Sequence, residues 1–218
     1  NYNYLDEYVE KMIWNYAYLN KGLSLIYNGK KIQSKKGLFD LLNNNLQENE
    51  ALYPIIHLSA GNFEFAFTHS DKVFTEEHYS FVNGQHTTQG GTHQSAFREA
   101  LVKVLKDFFK KDYDPSDIRS GLVASISLRI NEPVFESQTK TKLGSTNMMP
   151  DGSGQAVRTF ILDAVKSTLD DYLHINSEVA ELLLQKIVRN EKERKGMQNV
   201  KKLAKESAKK VSLTNRKL

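Results

Sequence analysis

The segment at residues 136–145, ESQTKTKLGS, carries side chains that suit the binding of a terminal phosphate. Gln138 can donate and accept hydrogen bonds, and Lys140 and Lys142 are cationic donors. Thr139 can bond locally and fix a turn, and no acidic residue follows Gln138 within the segment. A solvated surface loop has the same composition, and the residue types alone favour that alternative.

A glycine pair marks a second candidate anion site, in the turn TTQGGTH at residues 87–93. The turn precedes a predicted helix, and the free amides of a helix start beside Gly90 and Gly91 would let a phosphate approach. The segment lacks the spacing and the lysine of a P-loop. We therefore favour a plain turn in which Thr92 caps the helix.

The sequence predicts no metal site and no acid–base centre. None of the six histidines has the paired spacing of metal ligands, such as His-x-x-x-His. The chain has no cysteine, which excludes disulfides, cysteine-ligated zinc and cysteine nucleophiles and suits a cytoplasmic location. The aspartates around Pro115 are typical of a turn. Taken alone, the chain contains no assembled active site.

The basic residues are concentrated at the end of the chain. From Arg189 onward there are eleven Lys or Arg and three Glu, whereas the preceding residues include nineteen basic and twenty-three acidic side chains. A solvated helix face is the favoured interpretation of this tail, and a nucleic-acid-binding segment is the alternative. No stretch approaches the ~18 consecutive apolar residues of a membrane span, so no membrane partner is expected.

The first third of the chain contains two helix signals and one hairpin signal. Residues 4–20 predict an amphipathic helix, with these apolar side chains at helical spacing: Leu5, Val9, Met12, Ile13 and Tyr16. Asn28 and Gly29 separate two short strand-like runs and supply the positive φ angles that a tight hairpin needs. Residues 37–46 predict a short helix.

The middle of the chain combines strands with one long helix. Residues 55–60, 62–69 and 76–83 are strand candidates that predict a meander with one buried side. Apolar residues at helical spacing predict a helix over residues 94–110. Residues 122–130 alternate and predict a strand with one wetter face.

The last third is predominantly helical. The glycine-containing segment 148–155 predicts a flexible link, and a helix follows over residues 157–174. Ser177 is placed to cap a final helix. That helix loses its apolar stripe near Arg189 and is expected to continue as a charged connecting arm.

Three motifs in this order resemble the B subunit of bacterial type IIA DNA topoisomerases, either gyrase or topoisomerase IV: NYAYLNKGLSLIYNGK, FVNGQHTTQGGTHQSAFREAL and EPVFESQTKTKLGS. The resemblance implies an α+β fold, namely a ribosomal S5 domain 2-like transducer with a mixed sheet and helices on one face. It assigns residues 1–36 to the end of a GHKL-type ATP-binding domain, 37–188 to the transducer and 189–218 to a basic helical arm. That arm would lead toward a Toprim cleavage module. The family's usual connection is shorter than segment 148–155.

The resemblance also assigns roles to individual residues. The family's Gln-Thr-Lys motif maps onto Gln138, Thr139 and Lys140, so Gln138 and Lys140 are expected to contact the γ-phosphate of ATP, with Lys140 as the catalytic cation. Thr139 and Lys142 are expected to support them; in an extended loop, Lys142 would point the same way as Lys140. Arg98 matches an arginine that faces the DNA cavity.

The implied function is to couple ATP binding and hydrolysis to dimer gate closure and DNA strand passage. ATP and Mg²⁺ would be held mainly by the preceding domain, and the partners would be double-stranded DNA, the topoisomerase A subunit and a second B subunit. The chain does not begin with methionine, and we expect a piece of a longer polypeptide that is inactive alone.

Two other functions stay open at this point. The S5-like fold also occurs in small-molecule kinases, so a stand-alone phosphoryl-transfer enzyme is one alternative, although the chain lacks a phosphate-binding glycine motif. A nucleic-acid-binding module that works through the basic tail is the other.

Overall fold

A computed structural model describes residues 5–47 and 50–214, with side chains described as far as residue 205. Its helices are α1 (Asp6–Leu19), α2 (Leu38–Asn45), α3 (Thr92–Phe109), α4 (Pro115–Arg119), α5 (Val157–Ile175) and α6 (Ser177–Thr214). Its strands are β1 (Ser24–Tyr27), β2 (Lys30–Gln33), β3 (Ile56–Ala60), β4 (Phe63–His69), β5 (Glu76–Val82), β6 (Gln85–His86) and β7 (Leu122–Leu128).

The central sheet is mixed, with the strand order β3-β4-β7-β5-β6. β7 pairs antiparallel with β4 along its whole length, from Phe63 opposite Leu128 to His69 opposite Leu122. β5 lies on the other side of β7 and runs parallel to it, because α3 and α4 form the crossover between them. The predicted meander is therefore wrong, since β7 occupies the edge of β4 that β5 would have needed.

Both faces of the sheet are buried. The rings of Phe63, Phe65 and Phe67 are fully buried on one face, in the core that α3 and α5 complete. The other face packs on α1 and α2 through a second cluster: Tyr18, Leu38, Leu41, Leu42, Ala66, Phe81 and Val123. The predictions of helices on one face and of a single buried side are thus wrong.

The predicted wetter face of β7 is buried in its first half and open in its second: Val123 and Ser125 are buried, whereas Ser127 is half-buried and Arg129, just after the strand, is exposed. Ser125 has no exposed surface, and its hydroxyl donates a hydrogen bond of 3.3 Å to the carbonyl of Leu38, so its polarity is satisfied inside the protein. This bond joins the sheet to the start of α2.

The β1–β2 hairpin confirms its sequence signal. Asn28 and Gly29 have φ angles of 49° and 74°, the left-handed region that this turn requires. The neighbouring helix α1 forms as predicted, but much of its apolar stripe faces outward, with Leu5 65% exposed and Met12 52% exposed.

Helix α6 continues without a break from the packed body into the basic arm. Its buried apolar side chains end at Ile187, which agrees with the predicted loss of the stripe near Arg189. Beyond that point, Asn190 Nδ2 donates to the carbonyls of Asp117 at 2.8 Å and Ser120 at 2.9 Å. Polar contacts therefore extend the packing of α6 on α4. Across the described helices, none combines the length and apolar character that crossing a membrane would require.

The predicted flexible link before α5 forms a closed turn. The amide of Met148 donates to the carbonyl of Gln155 at 2.9 Å, and Asp151 accepts hydrogen bonds from Ser153 within the turn. These contacts join the two ends of the segment directly before α5.

Candidate functional site

The segment that carries the Gln-Thr-Lys residues folds as a small hairpin over residues 134–145. The amide of Glu136 donates to the carbonyl of Lys142 at 3.0 Å, and the amide of Gly144 donates to the carbonyl of Val134 at 2.8 Å. Leu143, near the base of the hairpin, is fully buried in the core. The base of the hairpin is therefore anchored in the core, and its tip projects from that base.

The tip of this hairpin is a turn that presents two polar side chains to solvent. The amide of Lys140 donates to the carbonyl of Ser137 at 3.0 Å, and Lys140 has a φ of 56°. A left-handed conformation is strained for a residue with a side chain, and such strain is concentrated at functional sites. The side chains of Gln138 and Lys140 are exposed and form no hydrogen bond or ion pair with any residue that the structure describes.

The other two predicted loop residues are engaged within the loop. Lys142 forms an ion pair of 2.9 Å with Glu136 across the hairpin, so its charge is compensated. Thr139 shares a hydrogen bond of 2.7 Å with Ser137. The expectation that Lys142 points the same way as Lys140 assumed an extended backbone, and this condition is not met because Lys140 is left-handed.

The Gly90–Gly91 turn holds the hairpin through backbone hydrogen bonds. The amides of Gln89 and Thr92 donate to the carbonyls of Thr141 at 2.9 Å and Leu143 at 3.1 Å. A Cβ on Gly91 would lie 2.3 Å from the oxygen of Leu143, so only glycine permits this approach. Two amides beside the glycine pair are thus already occupied by protein carbonyls.

The predicted helix cap is also different. Gly91 is the N-cap of α3 and gives no side-chain cap bond, while Thr92 is the first helical residue. The hydroxyl of Thr92 donates instead to the carbonyl of Ser145 at 2.6 Å. Thr92 therefore fastens the hairpin, and the prediction that it caps the helix is wrong.

Arg98 lies further along α3 and pairs with Glu76 of β5. Its Nε donates to Glu76 at 2.9 Å, and its Nη2 contacts the second oxygen of the same carboxylate. Glu76 also accepts from His78 at 2.9 Å. Burial acts to raise the pKa of Glu76, but the hydrogen bonds from His78 and Arg98 outweigh it and hold the pKa at about 2. The DNA-facing role of Arg98 stays a prediction.

The depressed pKa of Glu76 predicts a pH dependence of stability. A carboxylate with a lowered folded-state pKa stabilises the fold above its ordinary pKa of 4.5, and this contribution is lost as the pH falls toward 2. We expect Glu76→Gln to lower the free energy of unfolding by about 2 kcal/mol at neutral pH, the typical contribution of charged hydrogen bonds.

The measurement is urea unfolding of both proteins at a series of pH values, with Glu77→Gln, an exposed neighbour on β5, as the control. The difference between wild type and Glu76→Gln should shrink as the pH falls between 4.5 and about 2. A difference that is constant over this range would contradict the ion-pair role of Glu76.

The buried histidine His69 is held by hydrogen bonds to other parts of the fold. It lies between the hydroxyl of Tyr53, at 2.6 Å, and the carbonyl of Ile118, at 2.7 Å, and it has no exposed surface. Burial lowers its pKa to about 4, so it is neutral at physiological pH. Among the side chains described, those of residues 5–47 and 50–205, no group of three or more His, Cys, Asp or Glu is arranged to hold a metal ion.

The family model described as DNA gyrase B matches residues 5–203 of the chain. The chain belongs to the DNA gyrase B family. The B subunit of DNA topoisomerase 4 from Borreliella burgdorferi is 41% identical over 211 residues, which cover 97% of the chain and 34% of that protein. The B subunit of DNA gyrase from Clostridium acetobutylicum is 30% identical over 191 residues, covering 78% of the chain and 28% of that protein. The chain thus spans about a third of the length of these gyrase B family relatives.

Solved structures support the same fold for this gyrase B family chain. The 43K ATPase domain of Thermus thermophilus gyrase B, in complex with an aminocoumarin, matches with a TM-score of 0.71 at 23% identity and covers 93% of the chain and 57% of that domain. The ATPase region of Saccharomyces cerevisiae topoisomerase II matches with a TM-score of 0.56 at 22% identity, over 83% of the chain and 44% of that region. The predicted α+β fold with a mixed sheet and the resemblance to the B subunits of type IIA topoisomerases are confirmed.

Sequence reasoning located the loop of this gyrase B family chain but missed the contacts that hold it. The signal was present in two places, the glycine pair at residues 90–91 and the apolar Leu143 within an otherwise polar segment. Neither observation alone links the two segments, because their contact depends on the folded positions of α3 and the hairpin.

Proposed function

We propose that this chain is the transducer segment of the B subunit of a type IIA DNA topoisomerase, and that Gln138 and Lys140 sense the γ-phosphate of ATP. The observation that carries the proposal is the hairpin tip, where both side chains are exposed and unpartnered among the described residues while the base is anchored. An amide and an ammonium group fit the oxygens of a terminal phosphate.

The contacts within the loop favour Lys140 over Lys142 as the cation that contacts the γ-phosphate. Lys142 is compensated by Glu136, so Lys140 is the cation of the motif whose charge is left for a ligand. In the assembled subunit, the preceding domain would hold most of the ATP together with Mg²⁺. A fixed cation beside the terminal phosphate stabilises both the bound triphosphate and the charge that develops during phosphoryl transfer.

Sensing requires that the loop distinguish two nucleotide states. The γ-phosphate is present in ATP and absent in ADP, so Lys140 and Gln138 would contact only the first of these ligands. A ligand shifts a conformational equilibrium only by its differential interaction with the two states, and this contact supplies such a difference. Because the loop base is bonded to the start of α3, a displacement of the loop would be passed to α3 and to α5, which packs beside it.

The proposed organisation keeps the boundaries implied by the sequence. Residues 1–36 would end the GHKL-type ATP-binding domain, 37–188 would form the transducer, and 189–218 would lead toward the cleavage module. The proposed partners are double-stranded DNA, the topoisomerase A subunit and a second B subunit, in the cytoplasm. Arg98, 35% exposed at its side chain, would offer the N–H groups not bonded to Glu76 to a DNA phosphate.

A nucleotide titration of the isolated chain tests this proposal against a stand-alone phosphoryl-transfer enzyme. We expect no ATP binding at micromolar concentration and no hydrolysis, because the tip supplies contacts to a terminal phosphate alone, whereas the preceding domain would hold the base and the sugar. Isothermal titration calorimetry measures the binding. Micromolar affinity of the isolated chain for ATP would favour the phosphoryl-transfer enzyme instead.

A further inference from the structure

The turn that holds the Gln-Thr-Lys hairpin is itself fixed by three buried polar side chains, Ser80, Thr87 and His93. Their exposures are 1%, 1% and 0%. The hydroxyls of Ser80 and Thr87 lie 2.8 Å apart, Thr87 Oγ1 lies 2.9 Å from the carbonyl of Ser80, and His93 Nε2 lies 3.2 Å from Thr87 Oγ1. The group joins β5, the turn and the first residues of α3.

The hydrogen bonds assign the donor in this group. The hydroxyl of Thr87 lies within hydrogen-bond distance of the carbonyl of Ser80 and of His93 Nε2 and can donate to only one of them. The arrangement that leaves no buried ring N–H unpaired has Thr87 donating to Ser80 and the ring proton of His93 on Nε2. Nδ1 of His93 is then an unprotonated acceptor, and it has no partner among the described residues. An unpaired buried acceptor costs less than an unpaired buried N–H. Burial lowers the pKa of His93 to about 4, so the ring is neutral at physiological pH.

A continuous chain of hydrogen bonds links Thr87, the acceptor of His93, to the base of the Gln-Thr-Lys hairpin. The carbonyl of Thr87 accepts from the amide of Gly90 at 2.8 Å, and the carbonyl of Gly90 accepts from the amide of Leu143 at 3.0 Å. The amide of Gln89 donates to the carbonyl of Thr141 at 2.9 Å. A change in the position of Thr87 would therefore move the base of the hairpin.

We propose that His93 is a positioning residue for the Gln138–Lys140 tip, acting through Thr87 and the Gly90–Gly91 turn. His93 touches no substrate. It donates the hydrogen bond that orients Thr87, and Thr87 fixes the position of the Gly90–Gly91 turn relative to the hairpin base. The positioning rests on contacts within this chain, whereas its consequence for ATP turnover rests on the proposed function.

Amide hydrogen exchange of the 218-residue chain tests the positioning without any nucleotide. His93→Leu removes the donor, and we expect the amide of Leu143 to exchange at least about tenfold faster, because local opening of the turn becomes easier. His93→Gln retains a donor at the place of Nε2 and should exchange within about twofold of wild type. The amide of Ala124, in the centre of the sheet, serves as the reference that the fold is intact.

Thr87→Val provides a second test, because it leaves the ring in place and removes the acceptor for His93 together with the hydroxyl that donates to the carbonyl of Ser80. It should raise the exchange of Leu143 at least as much as His93→Leu does, and it tests the path through Thr87 if His93→Leu fails to fold. Wild-type exchange of Leu143 in Thr87→Val, or in a folded His93→Leu, would overturn the positioning role.

Turnover in the full-length subunit separates this inference from the proposed function. If both hold, Lys140→Ala and His93→Leu lower kcat, the second by about tenfold through misplacement of the tip, and His93→Gln restores it. Normal turnover in Lys140→Ala would contradict the proposed function, whereas the positioning role of His93 would still be supported by the hydrogen-exchange result. If Lys140→Ala loses turnover but His93→Leu shows normal turnover and normal exchange of the Leu143 amide, the positioning role of His93 is contradicted and the proposed function is retained.

Discussion

Replacing Lys140 by alanine in the full-length subunit is expected to lower ATP turnover by about a hundredfold, the usual consequence of removing one preorganised group that stabilises transition-state charge. Lys140 is exposed in this chain, so the substitution removes no packing contact here. Its charge becomes effective when a closed site excludes water around the terminal phosphate, because the effective dielectric constant falls there. The measurement is steady-state ATPase activity together with supercoil relaxation.

Lys142→Ala is the matched control for this experiment. It removes the same charge two residues further along the same hairpin, but that charge is already paired with Glu136. We expect turnover to change by less than about threefold, since an exposed ion pair contributes little. Near-normal turnover in Lys140→Ala, or an equal loss in both variants, would contradict the distinct role of Lys140.

Replacing Gly91 by alanine is expected to release the hairpin from α3. Gly91 has a φ of 130° and a ψ of −160°, a region that is essentially accessible to glycine alone. The added Cβ would lie 2.3 Å from the oxygen and 2.5 Å from the nitrogen of Leu143. Both atoms belong to the backbone and cannot rotate away, so the hairpin base must move.

We expect Gly91→Ala to lower turnover at least about tenfold, because misplacement of a reacting contact by about 1 Å can have effects of this size. The melting temperature should also fall, since the buried side chain of Leu143 loses its place in the core. The measurements are ATPase activity and thermal unfolding followed by circular dichroism.

Gly84→Ala controls for the strain of a positive φ. Gly84 has a φ of 84°, and a Cβ there would meet no atom within 4 Å. Any effect of that variant reports backbone strain alone, of the order of 1 kcal/mol. Equal effects of the two substitutions on turnover would mean that the contact between Gly91 and Leu143 has no special importance.

The sequence predicts well the features that local chemistry determines. The Asn28–Gly29 hairpin depends on two adjacent φ angles, and α3 and α5 depend on apolar spacing within one segment, so each could be found without knowledge of the fold. The loop that carries Gln138 and Lys140 is visible in the sequence as a polar segment, but its residue types alone favour a surface loop, and the roles of these two residues come from the resemblance to the topoisomerase B subunits.

The features that depend on long-range pairing could not be predicted in this way. The alternation in β7 does not encode that this strand inserts between β4 and β5, and the burial of both sheet faces follows from that insertion and from α2. Ser125 indicates a wet face in the sequence, yet it is buried because α2 packs on this face, where the carbonyl of Leu38 accepts its proton. The contact of Gly91 with Leu143 is likewise a long-range contact that local sequence patterns do not reveal.

Sensing of the γ-phosphate by Lys140 is tested most sharply by comparing two nucleotide affinities in the full-length Lys140→Ala subunit. We predict that the affinity for a non-hydrolysable ATP analogue falls by about tenfold or more, as expected for loss of a charged hydrogen bond. The affinity for ADP should stay within about twofold of wild type, because ADP lacks the phosphate that Lys140 contacts. Equal losses for the two nucleotides, or no loss for the triphosphate analogue, would contradict the proposal that Lys140 senses the γ-phosphate.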